Sequence, residues 1–165
     1  MKLIYFSLII VLLFASACTQ NEKIDIDDHS TLITVLQKFS DSYLEAWNDK
    51  DLNALNKLTS NGGQYFGSDP EEIMDKNALL EMYSSFFEDE SSSYIYRVDS
   101  RKIIISPGGN SAVIYERIIF DDWSPNMPLC QTSHLIKTKH TWKINFISWG
   151  FIIKNDEVVK INKIL

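Results

Sequence analysis

The sequence predicts an α+β fold, and three observations predict it. Apolar residues recur at helical spacing over 32–47 and again over 79–86, the period drops to two after Ser93, and Pro107-Gly108-Gly109-Asn110 marks a hairpin between two of the resulting strands. Three N-terminal helices followed by a four-stranded antiparallel meander must put the helical stripes on one face of a mainly antiparallel β-sheet, because the stripes have nowhere else to be buried.

The first helix opens near Thr31. Leu32, Val35, Leu36, Phe39, Tyr43, Ala46 and Trp47 form one stripe, which ends at Asn48-Asp49-Lys50. Asp51 can cap a second, short helix that buries Leu52, Leu55 and Leu58. Asn61-Gly62-Gly63 reads as a turn, Gln64-Tyr65-Phe66-Gly67 as a short strand, and Asp69-Pro70 as another turn, with Pro70 suited to a first helical position. Asp75 can cap a third helix whose Leu79, Met82, Tyr83 and Phe86 share a face, and the acidic, serine-rich run 88–93 ends it.

Strands are expected over 94–106, 111–121, 129–139 and 141–153, interrupted by Trp123-Ser124-Pro125-Asn126-Met127-Pro128. Strict alternation in the last strand would place Trp142, Ile144 and Phe146 on one face and Ile147, Trp149, Phe151 and Ile153 on the other. A strand apolar on both faces is covered on both sides. The expected cover is a second copy of the chain on the convex face, or the segment 154–165.

Residues 1–17 do not belong to this domain. Lys2 precedes the apolar run 3–14, too short for the ~20 residues that span a bilayer, so it reads as a signal peptide. Ala15-Ser16-Ala17-Cys18 resembles the lipobox of bacterial lipoproteins, with Ala15 where Leu is usual. The resemblance implies cleavage before Cys18 and lipidation of its sulfur; the alternative is ordinary cleavage that leaves Cys18 a plain thiol. Residues 18–30 are polar and acidic, a tether between anchor and domain, and 31–165 form the domain. Thr19 in place of an inner-membrane retention Asp favours an outer-membrane destination in the bacterial cell envelope, on either the periplasmic or the surface face. With Cys18 lipidated, the other cysteine, Cys130, has no partner and is expected as a buried thiol.

Composition fits this division. Of 16 Lys and Arg, only Lys2 lies in 1–17, and the 22 acids all lie beyond it, so the formal net charge of −6 becomes −7 in the mature chain. With 45% hydrophobic residues, disordered, collagen-like and disulfide-scaffold classes are excluded. The charge argues against nucleic acid as a partner.

The run 43–55, Tyr-Leu-Glu-Ala-Trp-Asn-Asp-Lys-Asp-Leu-Asn-Ala-Leu, resembles the helix-helix opening of the nuclear transport factor 2-like superfamily, which includes SnoaL-like domains and ketosteroid isomerases. Phe66-Gly67-Ser68-Asp69-Pro70-Glu71-Glu72 is similar to the segment that opens the pocket in one SnoaL-like branch, and 111–116 and 141–144 resemble its hairpin and last strand. The resemblance covers roughly 32–151. It implies a cone of helices on a curved sheet with a pocket between, and a homodimer through the sheet.

By that resemblance Tyr43 falls where ketosteroid isomerases keep an oxyanion-stabilising tyrosine, while their general-base aspartate falls near Gly67, which cannot take a proton. Asp69 would have to be re-aimed to substitute. Ser148 stands where a histidine is usual. Glu116 lies in phase with Ala112, Ile114, Ile118 and Phe120, so it is either a buried acid with a raised pKa or the partner of a cation on the next strand. Tyr43, Asp69 and Glu116 are therefore the catalytic candidates of an enzyme reading. The ligand-binding candidates are Tyr65, Tyr83, Tyr96, Trp123, His134 and Trp142, with Tyr83 and Trp142 read first as core residues, Trp123, on a Pro-flanked loop, as a pocket rim or interface, and His134 as a satisfied core histidine. No second His stands at ligand spacing, and no phosphate loop or nucleophile elbow is present, so neither metal nor cofactor is implied. Two functions stay open: a noncatalytic lipoprotein that binds a small hydrophobic molecule or a partner, and an isomerase, cyclase or hydrolase of the SnoaL type.

Overall fold

The computed structural model describes residues 26–91, 93–139 and 141–164. The expected signal peptide, the expected lipidation site Cys18 and most of the expected tether lie outside the described residues.

Helix α1 (Ile26–Asn48) begins five residues before the expected Thr31, within the stretch expected as a tether. Its stripe buries Leu36, Ser40, Tyr43, Ala46 and Trp47. The helix closes with Lys50 in the left-handed region, φ 56°, and Asp51 then caps α2 (Leu52–Leu58) by accepting from the Ala54 N–H at 2.9 Å. Asn48 bonds both the N–H and the C=O of Tyr96, which pins the end of α1 to the start of an edge strand.

The strand β1 (Thr59–Phe66) runs straight through Asn61-Gly62-Gly63, where a turn is expected from sequence. The chain bulges there instead. Thr59 pairs with Ile144 and Gln64 with Phe146, so the register shifts between them. Gly63 permits this, since an added Cβ would strike the Tyr65 hydroxyl and come within 3.0 Å of the Asn145 carbonyl. Next come β2 (Ile73–Met74) and α3 (Lys76–Glu88), capped by Asp75 as expected.

The meander follows as β3 (Tyr96–Ile105), β4 (Ser111–Phe120), β5 (Leu129–Lys137) and β6 (Trp142–Phe151). The sheet has six strands in the order β2-β1-β6-β5-β4-β3, and β1 lies parallel to β6. It is thus mixed and larger than the four-stranded meander, with β1 and β2 placed between the second and third helices. A fourth helix, α4 (Asn155–Ile161), ends the fold.

A second bulge corrects the reading of the last strand. Leu135 pairs with Ile144 but His134 with Phe146, so Asn145 is an extra residue that resets the alternation. Trp142, Ile144, Ile147, Trp149 and Phe151 consequently share the face of Leu129, Gln131, Ser133 and Leu135, all four buried. Phe146 falls on the other face with His134 and Thr132. The strand is apolar on one face only.

Candidate functional site

The cavity is assembled at one end of the sheet. β4 finishes in Phe120, β5 starts at Leu129, and β6 finishes with Trp149 and Phe151, and these side chains form one wall. Trp47 from the last turn of α1 and Met82 and Phe86 from α3 form another. The loop 67–72 contributes Gly67, Ser68, Asp69 and Glu72, while Tyr94 and Trp123 close the rim. The volume is about 360 Å³, within the usual range for small-molecule sites.

The wall is held by ring-on-ring packing. Phe86 stacks on Tyr94 at 4.7 Å, Trp123 stands edge-on to Phe120 at 5.2 Å, and Trp123 lies 5.7 Å from Phe151. The Pro-flanked loop that carries Trp123 is closed by the Ser124 hydroxyl donating to the Met127 carbonyl at 2.8 Å.

Polar groups enter from one side. Gly67 donates its N–H to the Glu72 carbonyl, and the Glu72 carboxylate accepts from the Asp69 N–H at 3.1 Å. A Cβ built on Gly67 would fall on that carboxylate. Glu72 therefore occupies the space a side chain at position 67 would take, and glycine is what admits it. Among the described residues neither Asp69 nor Glu72 forms an ion pair, and no Lys or Arg lines the cavity.

Glu116 is not part of this cavity. It is buried beneath the sheet's inner surface, where its register partner Arg101 approaches to 2.5 Å, Ser40 donates at 2.7 Å and Gln131 at 3.2 Å. Gln131 in turn accepts from the Trp149 indole at 2.8 Å, and Arg101 reaches Asp41 at 2.7 Å. The carboxylate is held by three side-chain donors, so of the two sequence readings the geometry supplies the cation partner. Tyr43 is buried too, its hydroxyl 2.5 Å from that of Tyr83.

The enzyme candidates are thus not brought together: Asp69 lines the cavity, while Tyr43 and Glu116 do not. Of the ligand-binding candidates only Trp123 lines it. Tyr65 is fully buried with its hydroxyl on the Ser60 and Ile144 carbonyls, Tyr83, Tyr96 and Trp142 are core residues, and His134 sits on the outer face bonded to Asn145 at 2.7 Å. Ser148 shares that outer face, paired with Thr132. Alternation alone missed Trp47, Phe120, Trp149, Phe151 and Glu72; the usable signal was position, since the strand ends flanking 121–128 meet at one place.

A family profile for the SnoaL-like domain matches residues 36–151. The chain belongs to the SnoaL-like domain family. Its fold is shared by solved structures of low identity. A nuclear transport factor 2-like protein from Cytophaga hutchinsonii is 15% identical with a TM-score of 0.60, covering 72% of this chain and 97% of that one. One of unknown function from Silicibacter pomeroyi is 15% identical with a TM-score of 0.55, covering 75% and 98%. A cystatin-like fold protein from Burkholderia xenovorans is 15% identical with a TM-score of 0.62, covering 79% and 96%. A search of the curated proteins gave no match.

The SnoaL-like core carries an alkaline liability. Burial lifts the Tyr43, Tyr83 and Tyr96 phenols well above their ordinary value and pushes Tyr65 up to about 12. A raised folded pKa means that the unfolded chain loses its protons first, so the stability present below pH ~10 falls as pH rises past that value. Each of the three most buried phenols contributes a slope of up to about 1.4 kcal/mol per pH unit. Urea midpoints measured from pH 8 to 12 should therefore drop steeply only above pH ~10. Tyr96 adds a second test. Among the described residues its buried hydroxyl has no hydrogen-bond partner, so Tyr96→Phe should raise stability by roughly 1 kcal/mol, read from the urea midpoint.

Proposed function

We propose that this SnoaL-like chain is a noncatalytic binding protein, anchored to the bacterial cell envelope through Cys18, that holds a small, mostly apolar ligand in its aromatic cavity. The observation that carries the reading is the cavity itself: about 360 Å³, walled by indole and phenyl rings, with the buried carboxylate Glu116 committed elsewhere. Aromatic walls with a few polar groups on one side suit binding and orientation. Native mass spectrometry of protein purified from its own envelope should show a bound small molecule, lost in Trp149→Ala. Chemically unchanged ligand after prolonged incubation supports binding, whereas turnover would overturn it.

The anchor is tested separately. Full-length protein should incorporate labelled palmitate and partition into detergent, and Cys18→Ser should lose both. Two or three acyl chains hold a protein firmly where one is marginal. Among the described residues no helix is long and apolar enough to cross a membrane.

The same outer face of the sheet that carries His134 is proposed as a homodimer surface. Ile104 and Tyr115 are exposed there at 54% and 39%, on adjacent strands, with Val113 opposite Ile104. Sedimentation of the chain should give a dimer, and Tyr115→Glu a monomer; a monomeric wild type would refute the surface.

A second reading is favoured by one observation. Glu72 puts a carboxylate against Gly67, the position where the resemblance places a general base. In an enzyme, Glu72→Gln would abolish turnover while leaving the urea midpoint close to wild type.

A further inference from the structure

The geometry points to a cationic ligand: we propose that the cavity selects an organic ammonium carried on an apolar body. The inference rests on the binding reading above and names the class of molecule bound.

Three independent features converge. Four aromatic residues with strong quadrupoles, Trp47, Tyr94, Trp123 and Trp149, line the space, and their ring faces attract a cation within about 6 Å. Two carboxylates, Asp69 and Glu72, line it on one side, and neither forms an ion pair among the described residues. Among the described residues no Lys, Arg or His lines it to receive an anion.

The placement of Glu72 is the sharpest of these. Its carboxylate is bonded to the Asp69 N–H and lies over Gly67, so it is fixed at the wall instead of sweeping through solvent. Asp69 is likewise held, accepting from the Glu71 N–H at 3.0 Å. Two held carboxylates lining an apolar, ring-walled space repel a carboxylate or phosphate and compensate the desolvation of an ammonium. The apolar body then fills the remainder against Met82 and Phe86.

Full-length protein in mild detergent, with a micelle blank subtracted, is titrated calorimetrically with three probes of one shape: 1-naphthylmethylammonium, 1-naphthalenemethanol and 1-naphthoate. The ammonium is expected to bind at least tenfold tighter than the alcohol, and the naphthoate weakest. Raising salt from 20 to 500 mM should cut the ammonium's affinity several-fold and leave the alcohol's within twofold. In the double variant Asp69→Asn, Glu72→Gln the ammonium should lose its advantage over the alcohol. Alcohol or naphthoate binding as tightly as the ammonium to the wild type would overturn the charge selection while leaving the aromatic cavity intact. Binding of none of the three would overturn both.

Discussion

Arg101→Met should destabilise the domain by about 3–5 kcal/mol, because it strands the Glu116 carboxylate in the core with its cation gone. Arg101 is the only guanidinium placed to meet that carboxylate among the described residues, and the two are register partners on β3 and β4. Ser40 and Gln131 remain as donors but carry no charge. The measurement is the urea midpoint at constant m-value. Adding Glu116→Gln to Arg101→Met should recover most of the loss, since a neutral amide keeps the shape and loses the uncompensated charge. The outer end of the same network behaves differently. Asp41 is 55% exposed in its pair with Arg101, so Asp41→Asn should cost under about 1 kcal/mol. A large effect of Asp41→Asn, or no recovery in the double variant, would contradict the network as drawn.

The polar chain from Asp41 through Arg101, Glu116 and Gln131 to Trp149 explains why a carboxylate sits inside an apolar sheet face. Gln131 is oriented at one end by Glu116, to which it donates, and at the other accepts the Trp149 indole N–H. Trp149 is a wall of the cavity. The buried charge is thus two hydrogen bonds away from the ligand space, fixing a ring there and taking no direct part in it.

The helical stripes, both Asp caps and the hairpin were legible because each depends on local spacing: Asp51 and Asp75 cap where the sequence places them. Strand β1 was legible only in its second half, 64–66; its first half was not, because Asn61-Gly62-Gly63 carries the composition of a turn and the pairing with β6 is parallel, with residues about eighty positions away. Nor was the Asn145 bulge, since one extra residue in a strand of unbroken apolar character leaves no compositional mark. That single residue shifted Phe146 out and brought Trp142 and Ile144 into line with Trp149. Of the candidates read from sequence, Asp69 and Trp123 line the cavity, and both stand in loops. Tyr65, Tyr83 and Tyr96 are buried and do not line it: large aromatics with a hydroxyl serve core and cavity equally well, and only the tertiary placement of their rings decides.

Trp47→Ala should be among the most damaging single substitutions, costing about 3–5 kcal/mol and weakening any cavity ligand together with the fold. Trp47 is 5% exposed and sits where four elements meet. Its ring is edge-on to Tyr83 at 4.8 Å and to Phe87 at 5.3 Å from α3, 5.8 Å from Tyr96 on β3 and 6.4 Å from Phe120 on β4. Its indole donates to the Tyr94 carbonyl at 2.6 Å, tying α1 to the segment that leads into β3. Truncation removes both the packing and that bond, and leaves a void that Tyr83 and Phe120 cannot both collapse into, since Tyr83 is tethered to Tyr43 and Phe120 ends a paired strand. Trp47→Phe separates the two losses. It retains much of the ring volume and forgoes the bond to Tyr94, so it should cost about 1–3 kcal/mol. Urea midpoints for the two variants, with affinity for 1-naphthylmethylammonium measured where each is folded, give the check. Equal destabilisation by Ala and Phe would assign the role to the hydrogen bond, and an unchanged affinity in Trp47→Ala would remove Trp47 from the cavity wall.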